Sequence, residues 1–295
     1  MKRNPEFRIN VSRYAVAGLV ALVLLLAFTS CGKDEEKIGE VDIPISFEAN
    51  AEVPAGAVEI ATEDELRLFV SGSGEGAHGF ISQPLELTEN LVVDRPGIRL
   101  EAAPGAVVTI ALPEDESYQW PVINTLDAIT VEADDVTMSG LTIIAPDEGY
   151  NAYNVLSVGN ASGFRFENGS ITGEAARNED GNVTDYTVST GISVSSRAKD
   201  TVVANSIIKD ALTPVRIASG STDLSNLIFN SDISVGYEYG ADDDMEITGC
   251  TALPSGEVAD GGRIVFAKSQ YGRSISETLL TQYREANSSI GFIAK

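Results

Sequence analysis

The feature that most constrains the fold is a pattern that recurs five times between residues 128 and 252. Each copy has an apolar-x-apolar triplet, a polar turn, a second alternating pair, a Gly or Asn, and a third apolar residue. Alignment on the Gly or Asn gives Gly140, Asn168, Asn205, Asn226 and Gly249, with spacings of 28, 37, 21 and 23 residues. The two shortest spacings match one coil of a solenoid, whereas a hairpin sandwich has no reason to keep such a period.

The Asn of this pattern interrupts a segment that otherwise favours a strand. Asn205 lies between Val203 and Ile207, and no Gly or Pro in this segment offers a hairpin turn. Asn tolerates left-handed backbone, and its amide can bond to the Asn of the next coil or to nearby backbone groups. We therefore expect the Asn and Gly positions to be tight corners between two strands.

This repeat resembles the right-handed parallel β-helix of the pectate-lyase-like superfamily. In that family each coil has three short strands, and an Asn often stacks at the turn between the second and third. The resemblance covers roughly residues 56–270 and implies an all-β, right-handed parallel β-helix. It implies little about activity, because the architecture supports many functions.

Two amphipathic helices are predicted at the ends of the solenoid. The first, in "ATEDELRLFVSGSG", begins with Thr62 and Glu65 at capping-box spacing, and the second, in "SISETLLTQYREAN", has Ser274 and Glu277 at the same spacing. Such helices would cover the core and the strand edges that a solenoid exposes at its ends. The expected apolar faces are Leu66, Phe69 and Val70 in the first helix and Ile275, Leu279 and Tyr283 in the second.

The N-terminus reads as a targeting segment. A basic start precedes an apolar run of 14 residues, Ala15–Phe28, which is short for a membrane span and typical of a signal peptide. Thr29, Ser30 and Cys31 then resemble the lipobox of bacterial lipoproteins, and "GKDEEK" resembles the acidic export tag of Bacteroidota surface lipoproteins. The resemblance implies lipidation at Cys31 and a lipid-anchored position on the outer membrane, at the cell surface. An ordinary charged linker is the alternative for the acidic segment.

These features divide the chain into a signal peptide at 1–30, an acidic tether at 31–46 and one β-helix domain at 47–295. Only two cysteines are present, so Cys250 has no disulfide partner once Cys31 is lipidated, and its apolar surroundings predict a core residue. Removal of residues 1–30, which carry four basic residues and one acidic residue, changes the net charge from −24 to −27. Such a surface repels phosphate backbones, which argues against nucleic acid and leaves glycans, cationic groups and Ca²⁺ as partners.

Candidate catalytic residues are sought on the first strand of each coil, which forms the substrate groove in enzymes of the resembled superfamily. Alternation predicts an outward column of Thr130, Ser157, Ser193, Arg216 and Ser234. A hydrolase needs two close carboxylates, but the nearest outward acids, Glu132 and Asp232, are four coils apart. A lyase needs a base and a cation, for which Arg216 with Asp232 as its neighbour is the candidate. The alternative is an exposed Arg that a nearby Asp partly neutralises.

Two acidic segments are candidate Ca²⁺ sites, because carboxylates and turn carbonyls supply hard oxygen ligands. One is "NEDGNVTD", with Asp180 and Asp185, and the other is "YGADDDME". A solvated turn is the alternative for both. His78, the only histidine, lies in a Gly-rich loop and is interpreted as structural. The acidic residues of the second segment are Asp242, Asp243 and Asp244.

Three successive coils lengthen the loop that enters the first strand, and all three of these loops carry aromatic residues and acids. Flat rings with polar neighbours suit sugar faces, so these residues are candidate ligand contacts, or else they pack the loops onto the coil. They are Tyr118, Trp120, Tyr150, Tyr153 and Tyr186.

The sequence thus predicts a cell-surface lipoprotein with a non-catalytic carbohydrate-binding or adhesive β-helix. One alternative is a polysaccharide lyase or glycoside hydrolase of the resembled superfamily, and another is a structural or protein-interaction component of the outer membrane.

Overall fold

A computed structural model describes residues 52–113, 126–146, 152–177, 183–218, 222–236, 245–253, 262–267 and 275–295. For residues 176–177 and 183–185 it describes the backbone only. All of these residues belong to one compact unit, Ile45–Lys295. No helix among them is both long and apolar enough to span a bilayer, and the apolar run 15–28 lies outside them.

The described residues form many short strands and two helices. The helices are α1 (Glu63–Gly72) and α2 (Glu277–Ala286). The strands are β1 (Val58–Ile60), β2 (His78–Ile81), β3 (Leu85–Leu87), β4 (Leu91–Val93), β5 (Arg99–Ala102), β6 (Val107–Ile110), β7 (Ile129–Val131), β8 (Thr137–Ser139), β9 (Thr142–Ile144), β10 (Ala152–Val158), β11 (Arg165–Glu167), β12 (Ser170–Thr172), β13 (Ala175–Arg177), β14 (Val183–Tyr186), β15 (Val188–Val194), β16 (Thr201–Ala204), β17 (Ile207–Lys209), β18 (Thr213–Ile217), β19 (Thr222–Ser225), β20 (Ile228–Phe229), β21 (Ile233–Gly236), β22 (Ile247–Thr248), β23 (Thr251–Ala252), β24 (Arg263–Ala267) and β25 (Gly291–Ala294).

These strands build three parallel sheets, and successive coils contribute one strand to each. Sheet 1 has the order β4-β7-β10-β15-β18-β21-β24-β25, sheet 2 has β1-β2-β5-β8-β11-β16-β19-β22, and sheet 3 has β3-β6-β9-β12-β17-β20-β23. Among the strands of the described residues, only the hairpin β13-β14, within the connection from β12 to β15, pairs antiparallel. The predicted right-handed parallel β-helix with a helix at each end is confirmed.

The corner between sheet 2 and sheet 3 lies at the aligned Gly and Asn positions. All five have positive φ: 72° at Gly140, 55° at Asn168, 48° at Asn205, 49° at Asn226 and 63° at Gly249. Asn226 Nδ2 donates to Asn205 Oδ1 at 2.9 Å, so the amide of one coil does bond to the amide of the next. The corner prediction is therefore correct in position, in backbone conformation and, for this pair, in side-chain contact.

A second left-handed ladder, not predicted from the sequence, precedes sheet 2. Its φ values are 70° at Gly97, 57° at Asp135, 75° at Gly163 and 51° at Asp200. Each of the first three donates its backbone N–H to a carbonyl of the next coil, at 2.7–2.9 Å. These positions form no recognisable sequence pattern, because they alternate between Gly and Asp and are unequally spaced.

The interior is one contiguous apolar core of stacked, equivalent positions. On sheet 1, Leu91, Ile129, Leu156, Ile192 and Val215 occupy successive strands in register and are buried. Cys250 is also in this core, 1% exposed, and burial raises the pKa of its thiol to about 11, although a backbone hydrogen bond from Leu227 opposes the shift. Cys250 is therefore an inert packing residue.

Helix α1 covers the N-terminal end of the core as predicted. Leu66, Phe69 and Val70 are buried, and Thr62 Oγ1 accepts from Glu65 N at 3.2 Å. Glu63 ties the helix to the first coil, because its carboxylate accepts from Arg67 and from both the backbone and hydroxyl of Thr88, at 2.6–3.0 Å. Burial acts to raise the pKa of Glu63, but the hydrogen bonds from Arg67 and Thr88 outweigh it and lower the pKa below its ordinary value.

Helix α2 covers the C-terminal end, with two differences from the prediction. Its N-cap is Ser276, whose hydroxyl accepts from Leu279 N at 3.2 Å, rather than Ser274, which lies outside the described residues. Leu280 is buried, while Leu279 is only partly buried against the core. The C-terminal end of α2 also supplies hydrogen-bond partners for backbone groups at the edge of β22. Tyr283 donates to the Met245 carbonyl, and the Asn287 amide bonds to the Ile247 carbonyl and the Cys250 N–H at 2.7 and 3.0 Å.

Candidate functional site

The outer face of sheet 1 carries a row of side chains that the strand register places side by side. Thr130, Ser157, Ser193, Arg216 and Ser234 occupy adjacent strands from β7 to β21, in the predicted order. The row continues at both ends into apolar residues that the sequence reasoning missed, because the first and last coils do not carry the full repeat. These are Val92 before Thr130, and Val265 and Ile293 after Ser234.

Arg216 is the one basic side chain in this row. It is exposed, and it forms no hydrogen bond or ion pair with any residue that the structure describes. An unpaired guanidinium offers five N–H donors in a planar fork that matches a carboxylate or similar anion. The row therefore combines a strip of hydroxyl groups with a single positive charge.

The predicted neighbour of Arg216 has a different partner. Asp232 binds Arg263 of β24 through two side-chain contacts, at 3.1 and 2.8 Å, and also accepts from the Arg263 backbone N–H at 3.0 Å. The sequence suggested Arg216 because the two residues lie on adjacent coils. Asp232 precedes β21 and is aligned instead with the start of β24, so the pairing of Asp232 with Arg216 is wrong.

The second acidic candidate lies on a more distant coil than Asp232 does. Glu132 is exposed and follows β7, where its carboxylate lies over Gly159. β7 and β18 are separated by β10 and β15, so Glu132 is three strand spacings, about 14 Å, from the level of Arg216. Among the described residues, no carboxylate forms a hydrogen bond or an ion pair with Arg216.

A partly buried polar network lies at the N-terminal end of the row. Asn90 Nδ2 donates to the Asp127 carbonyl at 2.6 Å and to Thr130 Oγ1 at 3.0 Å. Asn154 Nδ2 donates to Asp127 Oδ1 at 2.6 Å, while its own Oδ1 is buried and has no hydrogen-bond partner among the described residues. These bonds fix the orientation of Thr130 at the first polar position of the row.

Most of the predicted aromatic and metal candidates cannot be placed. The described residues include Tyr153, half-buried at the start of β10, and Tyr186, half-buried at the end of the β13-β14 hairpin. Among those residues no group of three or more His, Cys, Asp or Glu side chains converges on a metal position. Tyr118, Trp120, Tyr150, Asp180, Asp242, Asp243 and Asp244 lie outside the described residues, and Asp185 is described by its backbone only.

The single histidine has a structural environment on the outer face of sheet 2. His78 Nε2 lies 2.8 Å from Glu101 Oε2, which Arg99 also approaches at 3.3 Å. This arrangement agrees with its interpretation as a structural residue.

These sheets and corners define the chain as a right-handed parallel β-helix protein. Its fold is similar to that of a pectin methylesterase from Aspergillus niger in deglycosylated form, with 14% identity, 75% of this chain and 78% of that chain covered, and a TM-score of 0.49. Two pectin methylesterase complexes, with hexasaccharide VII and, for a mutant, hexasaccharide IV, also match at 14% identity. They cover 76% and 74% of this chain and 78% and 79% of theirs, each with a TM-score of 0.39.

No protein-family model and no curated protein matches the chain. At this identity and TM-score the similar structures say nothing about activity, and the fold assignment depends on the strand pairing itself.

Proposed function

We propose that the outer face of sheet 1 binds a saccharide chain that carries an anionic substituent. The observation that supports this proposal is the row of hydroxyl groups from Thr130 to Ser234, which includes Arg216, a side chain that pairs with no described residue. Hydroxyl groups donate and accept, so they match the hydroxyls of a sugar. The guanidinium selects a carboxylate or sulfate in a protein that otherwise repels anions.

Because the strands repeat every 4.8 Å or so, the row offers a similar contact once per coil. A polymer that lies along the solenoid axis meets these contacts in sequence, as ligands of other solenoids meet an extended surface. The proposed role is binding or adhesion, because the acid on the adjacent strand, Asp232, is bonded to Arg263 and no described acid or base pairs with Arg216 for a chemical step.

The test is a glycan array with the full chain in detergent, with and without Ca²⁺, followed by titration of the acidic glycans that bind. Ser157→Glu introduces a carboxylate in the middle of the row and is expected to weaken binding at least about tenfold. Ser170→Glu is the matched control, because Ser170 is a half-buried serine on the outer face of sheet 3. Equal affinities for the two variants would contradict the proposed binding face.

Arg216 is tested in the same way. Arg216→Gln is expected to weaken binding of acidic glycans by about 10- to 100-fold, the value of a charge-assisted hydrogen bond. Lys209→Gln removes the same charge from the outer face of sheet 3 and is expected to leave the affinity unchanged. An equal loss in both variants would mean that net charge, rather than this face, governs binding.

We also propose that the β-helix is held at the cell surface through a lipid on Cys31. The support is the sequence alone: a basic start, an apolar run, and Thr29, Ser30 and Cys31 at its end. Palmitate labelling of producing cells should mark the wild type and Cys250→Ser but not Cys31→Ser. Labelling of Cys31→Ser would overturn the assignment, and protease treatment of intact cells tests surface exposure.

A lyase or hydrolase that uses the same face is the competing function. It requires a carboxylate or cation within about 5 Å of Arg216. Release of unsaturated products, reducing ends or methanol from pectin and polygalacturonate measures lyase, hydrolase and methylesterase activity together. We expect no turnover. Turnover that Arg216→Gln abolishes and Lys209→Gln retains would replace the binding proposal with an enzymatic one.

A further inference from the structure

A phenylalanine on the outer face of sheet 2 is buried without belonging to the core. Phe80 lies between Gly79 and Ile81 on β2, and both of these neighbours face inward. An added Cβ at Gly79 would meet Ile60 and Phe69, and Ile81 is part of the apolar core. Alternation along the strand therefore directs Phe80 outward, and Phe80 is not among the residues of that core. The residue is nevertheless only 1% exposed.

The described neighbours of Phe80 within sheet 2 lie beside its ring rather than above it. The register places Glu59 on one side and Glu101 on the other, and His78 precedes it on the same face. Side chains on one face of a sheet stand roughly perpendicular to it, so they cover each other's flanks and leave the outer surface open. Val202, an outward valine of the same sheet with a strand on each side, remains partly exposed. The burial of Phe80 therefore requires a further group over this face, which we call the cover.

The extent of the cover follows from the exposure of the other residues in the same outward column. Glu101, on the next strand, is 7% exposed, and His78 and Arg99 contact its carboxylate. Ser139 and Glu167 continue the column on β8 and β11 and are partly exposed. The cover thus spans two strands, whose axes are about 5 Å apart, and ends before β8. Such a narrow strip suits one extended segment, whereas a stable interface with another protein buries about 800 Å² on each partner.

The chain itself supplies a segment of this kind close to β2. The structure describes the chain from Glu52 onward, and β1, which pairs with β2, begins six residues later. Immediately upstream, residues 43–51 read "IPISFEANA", in which Ile43, Ile45 and Phe47 occupy alternate positions, so an extended segment has one apolar face. Ile45 also opens the compact unit to which all the described strands belong. Nine extended residues span up to about 30 Å, so the segment is long enough to reach the ring from Glu52.

We propose that residues 43–51 lie across the outer face of sheet 2 and form the cover, with their apolar side chains against Phe80. The folded domain then begins near residue 43 rather than at residue 47, and the acidic tether is shorter than predicted. The tether leaves the β-helix from sheet 2, whereas the polar row lies on sheet 1, so the tether starts on a different side of the coil from the row. The proposal does not depend on saccharide binding.

The first test measures how fast a water-soluble maleimide labels Phe80→Cys in the full chain. A Cys31→Ser background leaves Cys250 as the other thiol, and Cys250 is buried. We expect Phe80→Cys to label at least about tenfold more slowly than Val202→Cys, which lies on the same face outside the cover.

The segment is then altered in the same background. Phe47→Asp is expected to raise the labelling rate of Phe80→Cys at least about tenfold, because a charged side chain does not pack on an apolar ring. Val41→Asp is the matched control, because it introduces the same charge upstream of the segment, and it should leave the rate unchanged. Neither change should alter the labelling of Val202→Cys, which shows that the β-helix remains folded.

Digestion of the full chain with a glutamate-specific protease gives a second measurement that leaves Phe80 in place. Glu48 lies within the segment, whereas Glu40 lies in the tether upstream of it. Cleavage at Glu48 should be at least about tenfold slower than at Glu40, because a docked segment must first open. Phe80→Asp should remove this difference, whereas Val202→Asp should retain it.

Other occupants of this face predict different results. A second copy of the chain as the cover predicts that labelling of Phe80→Cys accelerates on dilution, and a separate partner predicts fast labelling of the purified chain. Either result would overturn the proposal, as would equal rates with Phe47→Asp and Val41→Asp or equal cleavage at Glu48 and Glu40. Slow labelling that Phe47→Asp relieves and Val41→Asp does not, together with protection of Glu48, supports it.

Discussion

The Asn and Gly corner between sheets 2 and 3 makes a quantitative prediction about Gly249. Gly249 has a φ of 63°, and a Cβ added there would overlap Asn226 Oδ1 of the preceding coil. Gly249→Ala should therefore destabilise the protein in two ways, through left-handed backbone and through displacement of the Asn226 amide.

The two contributions can be separated with Gly105→Ala. Gly105 has a φ of 83°, but nothing lies within 4 Å of the position of an added Cβ. Left-handed backbone costs Ala about 1–2 kcal/mol, and the reduced freedom of the unfolded chain returns about 0.4–1 kcal/mol. Gly105→Ala should thus cost about 1 kcal/mol. Crowding adds about 1–3 kcal/mol, so Gly249→Ala should cost about 2–4 kcal/mol.

Removal of the neighbouring amide should relieve the crowding. In an Asn226→Gly background the cost of Gly249→Ala should fall to about that of Gly105→Ala, a coupling of about 1–3 kcal/mol. Asn226→Gly alone should cost about 1 kcal/mol, because it removes the hydrogen bond to Asn205.

Urea unfolding of the wild type, the three single variants and the double variant, followed by circular dichroism, measures these free energies. Equal costs for Gly249→Ala and Gly105→Ala, or an undiminished cost in the Asn226→Gly background, would refute the stacked corner.

Three further predictions concern the caps and the core. Asn287→Ala should lower the free energy of unfolding by about 2–4 kcal/mol, because it removes the hydrogen-bond partner of the Ile247 carbonyl and of the Cys250 N–H. Ser288→Ala, at an exposed position, should change the free energy of unfolding by less than about 0.5 kcal/mol. Thr222→Val should raise the melting temperature by an amount equivalent to about 1 kcal/mol, because the buried Thr222 hydroxyl has no hydrogen-bond partner in the part of the chain that the structure describes. A lower melting temperature would show that the hydroxyl is satisfied by another group or by water. The folded-state pKa of Glu63 is lowered, so its carboxylate stabilises the protein above the pKa of the unfolded carboxyl and loses this effect as pH falls through the folded pKa. Glu63→Gln should therefore flatten the decline of melting temperature between about pH 5 and 3. Glu86→Gln, at an exposed position, should leave that decline unchanged.

The candidate site was predictable to the extent that it follows from alternation within strands. The outward residues of sheet 1, from Thr130 to Ser234, were identified because each lies between two apolar residues that must face the core. The partner of Asp232 was not predictable in this way. Whether Asp232 contacts Arg216 or Arg263 depends on the register of each strand with its neighbour. The register of β24 could not be predicted, because the loop before it does not follow the repeat.

The ends of the solenoid show the same distinction. The apolar face of α1 was predictable from helical periodicity, and that of α2 only in part, because Leu280 is buried where Leu279 was predicted. The N-cap of α2 was placed two residues too early because Ser274 and Ser276 are both suitable caps. No sequence pattern indicated the role of Asn287, because its side-chain amide makes hydrogen bonds to the Ile247 carbonyl and the Cys250 N–H that backbone groups make between other coils.

The sequence by itself determined the coil, because the repeated apolar triplets and the Asn or Gly at each corner are local requirements of backbone and burial. It also determined which side chains face outward, since that depends only on the two-residue period of a strand. The tertiary structure alone decided which outward groups meet: Asp232 with Arg263, Asn154 with Asp127, and Arg216 with no described residue. The physical reason is that contacts between coils depend on the lengths of the connecting loops and on strand register, which no single repeat encodes.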